Sequence, residues 1–102
     1  MNKLQQNVAE LEKLIFKRTG KIKDDPYFLL SNLSSEVGEL CDEIIGLEGE
    51  RIEDRKYDNK VEAAKEIVDV VVNALRLANH YNLDFDTHWK KRLEELHKKF
   101  SG

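Results

Sequence analysis

The sequence predicts an all-α domain of four helices, and three observations carry that prediction. Charged residues make up 36% of the chain and hydrophobic ones 40%, with a single proline and five glycines, a balance that suits soluble helices better than sheet or disorder. Apolar residues recur at intervals of three and four along four separate stretches. Residues that start or stop helices stand between those stretches. A chain of 102 residues makes one domain, spanning 1–102. A domain of that size buries only about 60–70% of the surface its unfolded form exposes, so a core shared with a second copy would help it.

Met1, Leu4, Val8, Leu11 and Ile15 fall on one stripe of a first helix over residues 2–19, which Thr19-Gly20 can end. Asp25-Pro26 then supplies an N-cap followed by proline at the first helical position, where its missing N–H is harmless. The second helix starts there, with Leu29, Leu30, Leu33, Val37, Leu40 and Ile44 as its apolar stripe and Gly46 placed to terminate it. Residues 46–58 keep no period and read as a loop. Asn59, with Glu62 three positions later, resembles a capping box opening a third helix that runs to about Tyr81. Asp84 or Asp86 can cap a fourth helix, on which Trp89, Leu93, Leu96 and Phe100 repeat at four, three and four.

Charge and cysteine content narrow the function classes. Twenty acidic against seventeen basic residues give a formal charge of −3, without the basic surplus of a protein that coats nucleic acid phosphates. The single cysteine, Cys41, forms no internal disulfide, and no Cys/His spacing resembles a zinc site, so an intracellular, cytoplasmic setting fits best. The first residues soon become charged, and no apolar run approaches the ~18 residues that span a membrane.

The third helix is the most apolar element. At about 100° per residue its apolar positions, from Val61 through Ile67, Val70, Val71, Ala74 and Ala78 to Tyr81, cover more than half the circumference. The remaining strip holds Glu62, Glu66, Asp69, Asn73, Arg76 and His80, so Glu66 and Asp69 sit one turn apart beside surface expected to be buried. Helix two repeats the arrangement with Glu36 and Glu39 at the edge of its stripe, and Glu43 one turn further on. An acidic helix edge is most often only a solvated face. Here, however, like charges stand three and four apart, both pairs border apolar stripes of two helices expected to form a hairpin, and Lys65 and Arg76 are the nearest cations. A hard divalent cation, drawing on several carboxylate oxygens and on substrate phosphate, would account for the cluster.

The stretch Ser35-Glu36-Val37-Gly38-Glu39-Leu40, followed after a spacer by Glu66-Ile67-Val68-Asp69-Val70, resembles the paired motifs of the all-α NTP pyrophosphatase superfamily, which includes the MazG proteins, dimeric dUTPases, dCTP pyrophosphatases and phosphoribosyl-ATP pyrophosphohydrolase. The resemblance covers about residues 26–100. The superfamily pattern is E-E-x-x-E, a spacer, then E-x-x-D; Glu36, Glu39, Glu66 and Asp69 match it, and Ser35 stands where the first acid is often found. The resemblance implies a MazG-like helical hairpin that completes a bundle by pairing with another copy, as a homodimer or tetramer. It implies hydrolysis of an NTP or dNTP between the α and β phosphates, giving the monophosphate and pyrophosphate. Glu36, Glu39, Glu66 and Asp69 would be the catalytic Mg²⁺ ligands, with Mn²⁺ as a substitute, and Glu39 is open to the alternative of orienting water.

Other residues are weighed beside these. Asn73 lies one turn beyond Asp69 and is placed to hydrogen-bond sugar or phosphate, with a plain polar-strip residue as the equal alternative. Arg51, Arg55 and Lys56 in the loop, and Lys90, Lys91, Lys98 and Lys99 on the last helix, are candidate phosphate neutralisers, though solvated surface charge is the better reading for any one of them. Tyr57 and Trp89 are candidates for base stacking, but Trp89 fits its helix period well enough to favour core packing. Cys41 reads as a small buried hydrophobe and the three histidines as surface residues. Two rivals stand against hydrolysis of a nucleoside triphosphate: a non-catalytic helical interaction module, and phosphoribosyl-ATP hydrolysis within the same superfamily.

Overall fold

Four α-helices, with no strand among the described residues, make up the computed structural model: α1 (Lys3–Thr19), α2 (Pro26–Glu48), α3 (Val61–His80) and α4 (Phe85–Phe100). The structure describes residues 3–20, 25–49 and 60–102. Met1, Asn59 and most of the expected loop lie outside them.

The helix ends follow local chemistry. Gly20, at φ 68°, takes the left-handed conformation that glycine adopts at least cost, and its N–H donates to the Phe16 carbonyl at 2.7 Å to close α1. Asp25 caps α2, its carboxylate accepting from the Tyr27 N–H at 2.9 Å, with Pro26 in the first turn. Gly46 does not end α2, which runs on to Glu48; Gly46 is buried, and Gly49 is the C-cap. A glycine in a helix interior costs only about 1 kcal/mol relative to alanine, which does not by itself stop a helix whose surface packs. At the end of α3, Asn82 takes φ 54° and the Leu83 N–H donates to the Ala78 carbonyl at 2.9 Å, a left-handed C-terminal closure made by asparagine. Asp84 is the N-cap of α4, but its carboxylate accepts from the Thr87 hydroxyl at 2.9 Å instead of from a backbone N–H.

The chain divides into two compact units, Met1–Lys23 with Leu75–Gly102 and Asp24–Ala74. The first holds α1, the end of α3 and α4. At its centre Gln5 is completely buried. Its Nε2 donates to Asn79 Oδ1 at 3.1 Å and to the Leu83 carbonyl at 2.7 Å, while its Oε1 accepts from the Phe85 N–H at 2.9 Å. Asn79 Nδ2 returns a bond to the Gln5 carbonyl at 3.1 Å. One side chain thus ties α1 to the α3–α4 turn, with Val8 and Leu75 as buried apolar residues of the same unit. Arg76 Nε faces Glu12 Oε2 at 3.6 Å. Leu4, Leu11 and Ile15 remain exposed. The expected core role of Trp89 is not met: no residue of α4 is buried, and Trp89 is 52% exposed beside Phe85 at 5.9 Å between ring centroids. Helical periodicity identifies a stripe, but this unit supplies too little surface to cover it.

The second unit, built from α2 and the first part of α3, meets the expected burial only in part. On α2 the buried or half-buried side includes Leu29, Asn32, Leu33, Glu36, Leu40, Glu43 and Leu47, while Leu30, Val37, Ile44 and Ile45 are exposed. On α3 Ala63, Glu66, Val70 and Asn73 turn inward, and Val61, Ile67, Val68 and Val71 stay outside. Cys41 is exposed, not a buried hydrophobe. It lies on the side of α2 away from the acids, which this unit does not cover.

Candidate metal centre

Helical spacing places Glu36 and Glu39 one turn apart on α2, and Glu66 and Asp69 one turn apart on α3. The fold of the second unit brings three of these four together: one carboxylate oxygen from each of Glu36, Glu39 and Glu66 lies within 4.8 Å of the others. Glu36 and Glu66 are half-buried, whereas Glu39 and Asp69 are exposed at the margin. Asp69 is outside the triad, yet its charge raises the carboxyls of both Glu36 and Glu66.

The electrostatics are those of crowded acids. Burial pushes the Glu66 carboxyl up to about 7, reinforced by a hydrogen bond with Glu36 and by the charges of Glu39, Glu36 and Asp69. Glu36 is also raised, chiefly by burial, although its bond with Glu66 pulls the other way. Oε2 of each is buried and has no hydrogen-bond partner.

No cation among the described residues answers the triad. Lys65 pairs with Glu62 at 3.1 Å and Arg76 with Glu12, so the two cations nearest in sequence are engaged elsewhere. Glu43, a residue the motif comparison leaves aside, also has a buried Oε2 without a partner. Its i+4 relation to Glu39 was visible in the sequence; its burial was not.

Magnesium fits this donor set. Mg²⁺ prefers oxygen donors, and Glu36, Glu39 and Glu66, with one oxygen each within 4.8 Å of the others, would be the residues to hold it. The orphaned oxygens of Glu36 and Glu66 are the acceptors such an ion satisfies.

Asn73 is 8% exposed, and its Nδ2 donates to the Asp69 carbonyl at 2.8 Å. Lys91 is exposed on α4, in the other unit. Arg51, Arg55, Lys56 and Tyr57 lie outside the described residues. No helix is long and apolar enough to cross a membrane among the described residues. No family model, curated protein or solved structure matches the chain.

Proposed function

We propose that the chain is a Mg²⁺-dependent nucleoside triphosphate pyrophosphohydrolase of the MazG-like kind, converting an NTP or dNTP to its monophosphate and pyrophosphate. The observation that carries this reading is the convergence of one carboxylate oxygen each from half-buried Glu36 and Glu66 and exposed Glu39, with Oε2 of Glu36 and of Glu66 buried and without a protein partner. An arbitrary solvated acidic face has no reason to turn inward while Val37, Ile44, Ile67 and Val71 stay outside.

Glu36, Glu39 and Glu66 would hold the ion, with Asp69 joining from the margin as the fourth ligand. When bound, Mg²⁺ supplies charge neutralisation at the phosphates and acidifies water. The carboxylates fix its position and exclude bulk water on the buried side. Glu39, the most open of the triad, is also the residue placed to orient the attacking water toward the α/β linkage. Mn²⁺ would substitute, since it accepts the same oxygen donors.

The exposed apolar side of the second unit supports a homodimer as the smallest assembly, with a tetramer of two dimers compatible. Val37, Ile44, Ile45, Ile67, Val68 and Val71 are each more than 40% exposed, more apolar surface than two helices leave to water without an occupant. A monomer by light scattering at all practical concentrations refutes that assembly.

The deciding experiment incubates the protein with Mg²⁺ and a panel of ribo- and deoxynucleoside triphosphates and follows products by phosphorus NMR. Monophosphate with pyrophosphate supports the reading. Diphosphate with orthophosphate, or no turnover of any member, overturns it.

A further inference from the structure

The formal charge of −3 conceals two units of opposite sign. Asp24–Ala74 holds fourteen acidic and five basic residues, a charge of −9, whereas the first unit holds twelve basic and six acidic, a charge of +6. A partner drawn to the first unit by charge is therefore an anion.

The apolar surface that such a partner would meet lies on α4. At about 100° per residue, Phe85, Leu96, Trp89, Phe100 and Leu93 follow one another within a sector of about 80°. Arg92 and Lys99 border one edge of that stripe, and Asp86, His97 and Lys90 the other. Phe85 and Leu96 are half-buried, but Trp89 is 52% exposed, Phe100 78% and Leu93 37%. Lys99 Nζ stands 5.4 Å from the centre of the Phe100 ring, a cation and an apolar ring together at the end of the helix. Lys90 pairs with Asp86, Arg92 with Glu95 and Lys98 with Glu94, all exposed pairs that hold their cations weakly.

The residue types select among anions. A small anion needs donors that converge on it, and here the cations stand on opposite edges of an apolar stripe. A second copy presenting this same face would set one +6 unit against another. A bilayer carrying anionic lipid meets both demands, because aromatic and aliphatic side chains enter the acyl boundary while Lys and Arg extend to the headgroup phosphates.

We propose that α4 docks the first unit peripherally on an anionic lipid bilayer, with Trp89, Leu93 and Phe100 in the acyl boundary and Lys90, Arg92 and Lys99 at the headgroups. With 16 residues, α4 lies in the interface and does not span it. The proposal is independent of the hydrolysis reading, since vesicle binding needs neither nucleotide nor Mg²⁺.

The test mixes the full chain with vesicles of phosphatidylcholine, with and without phosphatidylglycerol, and follows Trp89, the single tryptophan, by fluorescence. The expected result is a blue shift of its emission on the anionic vesicles only, reversed by added salt. Phe100→Ala weakens binding about tenfold through lost apolar burial. Lys99→Glu weakens it at least about fivefold through lost attraction to the surface. Lys91→Glu, on the side of α4 away from the stripe, weakens it less, and circular dichroism checks that each variant is folded. An equal loss for Lys91→Glu would show that net charge and not this face binds, and would overturn the proposal. So would an emission that ignores anionic vesicles, one that moves with protein concentration alone as a second copy would cause, or one that a single-stranded oligonucleotide shifts as far.

Discussion

Gln5 of the first unit and the glutamates of the second are buried polar side chains that differ in what they find. Arg76 Nε of the first unit, also buried without a hydrogen bond, faces the Glu12 carboxylate at 3.6 Å. Gln5 in the first unit is completely buried with its amide bonded to Asn79, Leu83 and Phe85. Glu36, Glu43 and Glu66 in the second unit each leave a buried oxygen with nothing to accept from. A satisfied buried amide belongs to the fold, since its desolvation is offset within the chain. A cluster of unsatisfied buried carboxylates opposes the fold.

Removing the satisfied network gives the largest effect on stability. Gln5→Leu leaves the Phe85 N–H, Asn79 Oδ1 and the Leu83 carbonyl without the side-chain partner, a loss of about 3 kcal/mol. The melting temperature falls by more than about 10 °C, equally with EDTA and with Mg²⁺. A Gln5→Leu protein as stable as wild type would show that the amide is not what joins α1 to the α3–α4 turn.

Breaking the unsatisfied cluster acts on activity instead. Asp69→Asn and Glu66→Gln each lower Mg²⁺-dependent hydrolysis by at least about a hundredfold, more than loss of an outer-sphere partner alone. A fully active Asp69→Asn enzyme would remove Asp69 from the ligand set, where its position outside the triad already makes it the most exposed to disproof.

The same substitutions have the opposite sign on metal-free stability. The Glu66 carboxyl stands at about 7 against an ordinary 4.5, so between those values the native state binds more protons than the unfolded chain. Stability without metal therefore falls as pH rises from about 4.5 to about 7. In EDTA at pH 8, Glu66→Gln melts about 5 °C above wild type and flattens this pH dependence. Mg²⁺ reverses the order by stabilising wild type alone, because it binds the native state. Thermal melts across pH in both buffers give the answer, and a wild-type melting temperature rising with pH in EDTA through that window would contradict it.

The smallest effect marks the background. Lys65 and Glu62 form an exposed i,i+3 ion pair at 3.1 Å, and Lys65→Ala changes stability by about 0.5 kcal/mol or less. A larger change in a denaturant titration would mean that Lys65 also screens the acids one turn away.

Much of the local structure was legible in the sequence. Asp25-Pro26 gave the start of α2, Thr19-Gly20 the end of α1, and Asp84 the start of α4, because caps and turns are settled by neighbouring residues. The acid pairs were legible too, since a three-residue step places two side chains on one side of any helix. Gln5 was not: its partners lie at 79, 83 and 85, and a sequence window around it shows only a glutamine beside an apolar stripe. Trp89 and Cys41 were read as buried from period and polarity, which do not say whether another surface arrives to cover them.

The sequence by itself determined four helices, the end of α1, the starts of α2 and α4, and two acid pairs on α2 and α3, all consequences of interactions within a few residues. Only the tertiary structure decided which side of those helices turns inward. Hydropathy pointed the apolar stripes of α2 and α3 to the interior, and Leu29, Leu33, Leu40 and Val70 are there, but Glu36, Glu66 and Asn73 share it while Val37, Ile67 and Val71 remain outside. Burial belongs to a pair of surfaces and not to one helix. Two helices in one unit can cover only one side of each other, and that choice is made by contacts between residues far apart in the chain.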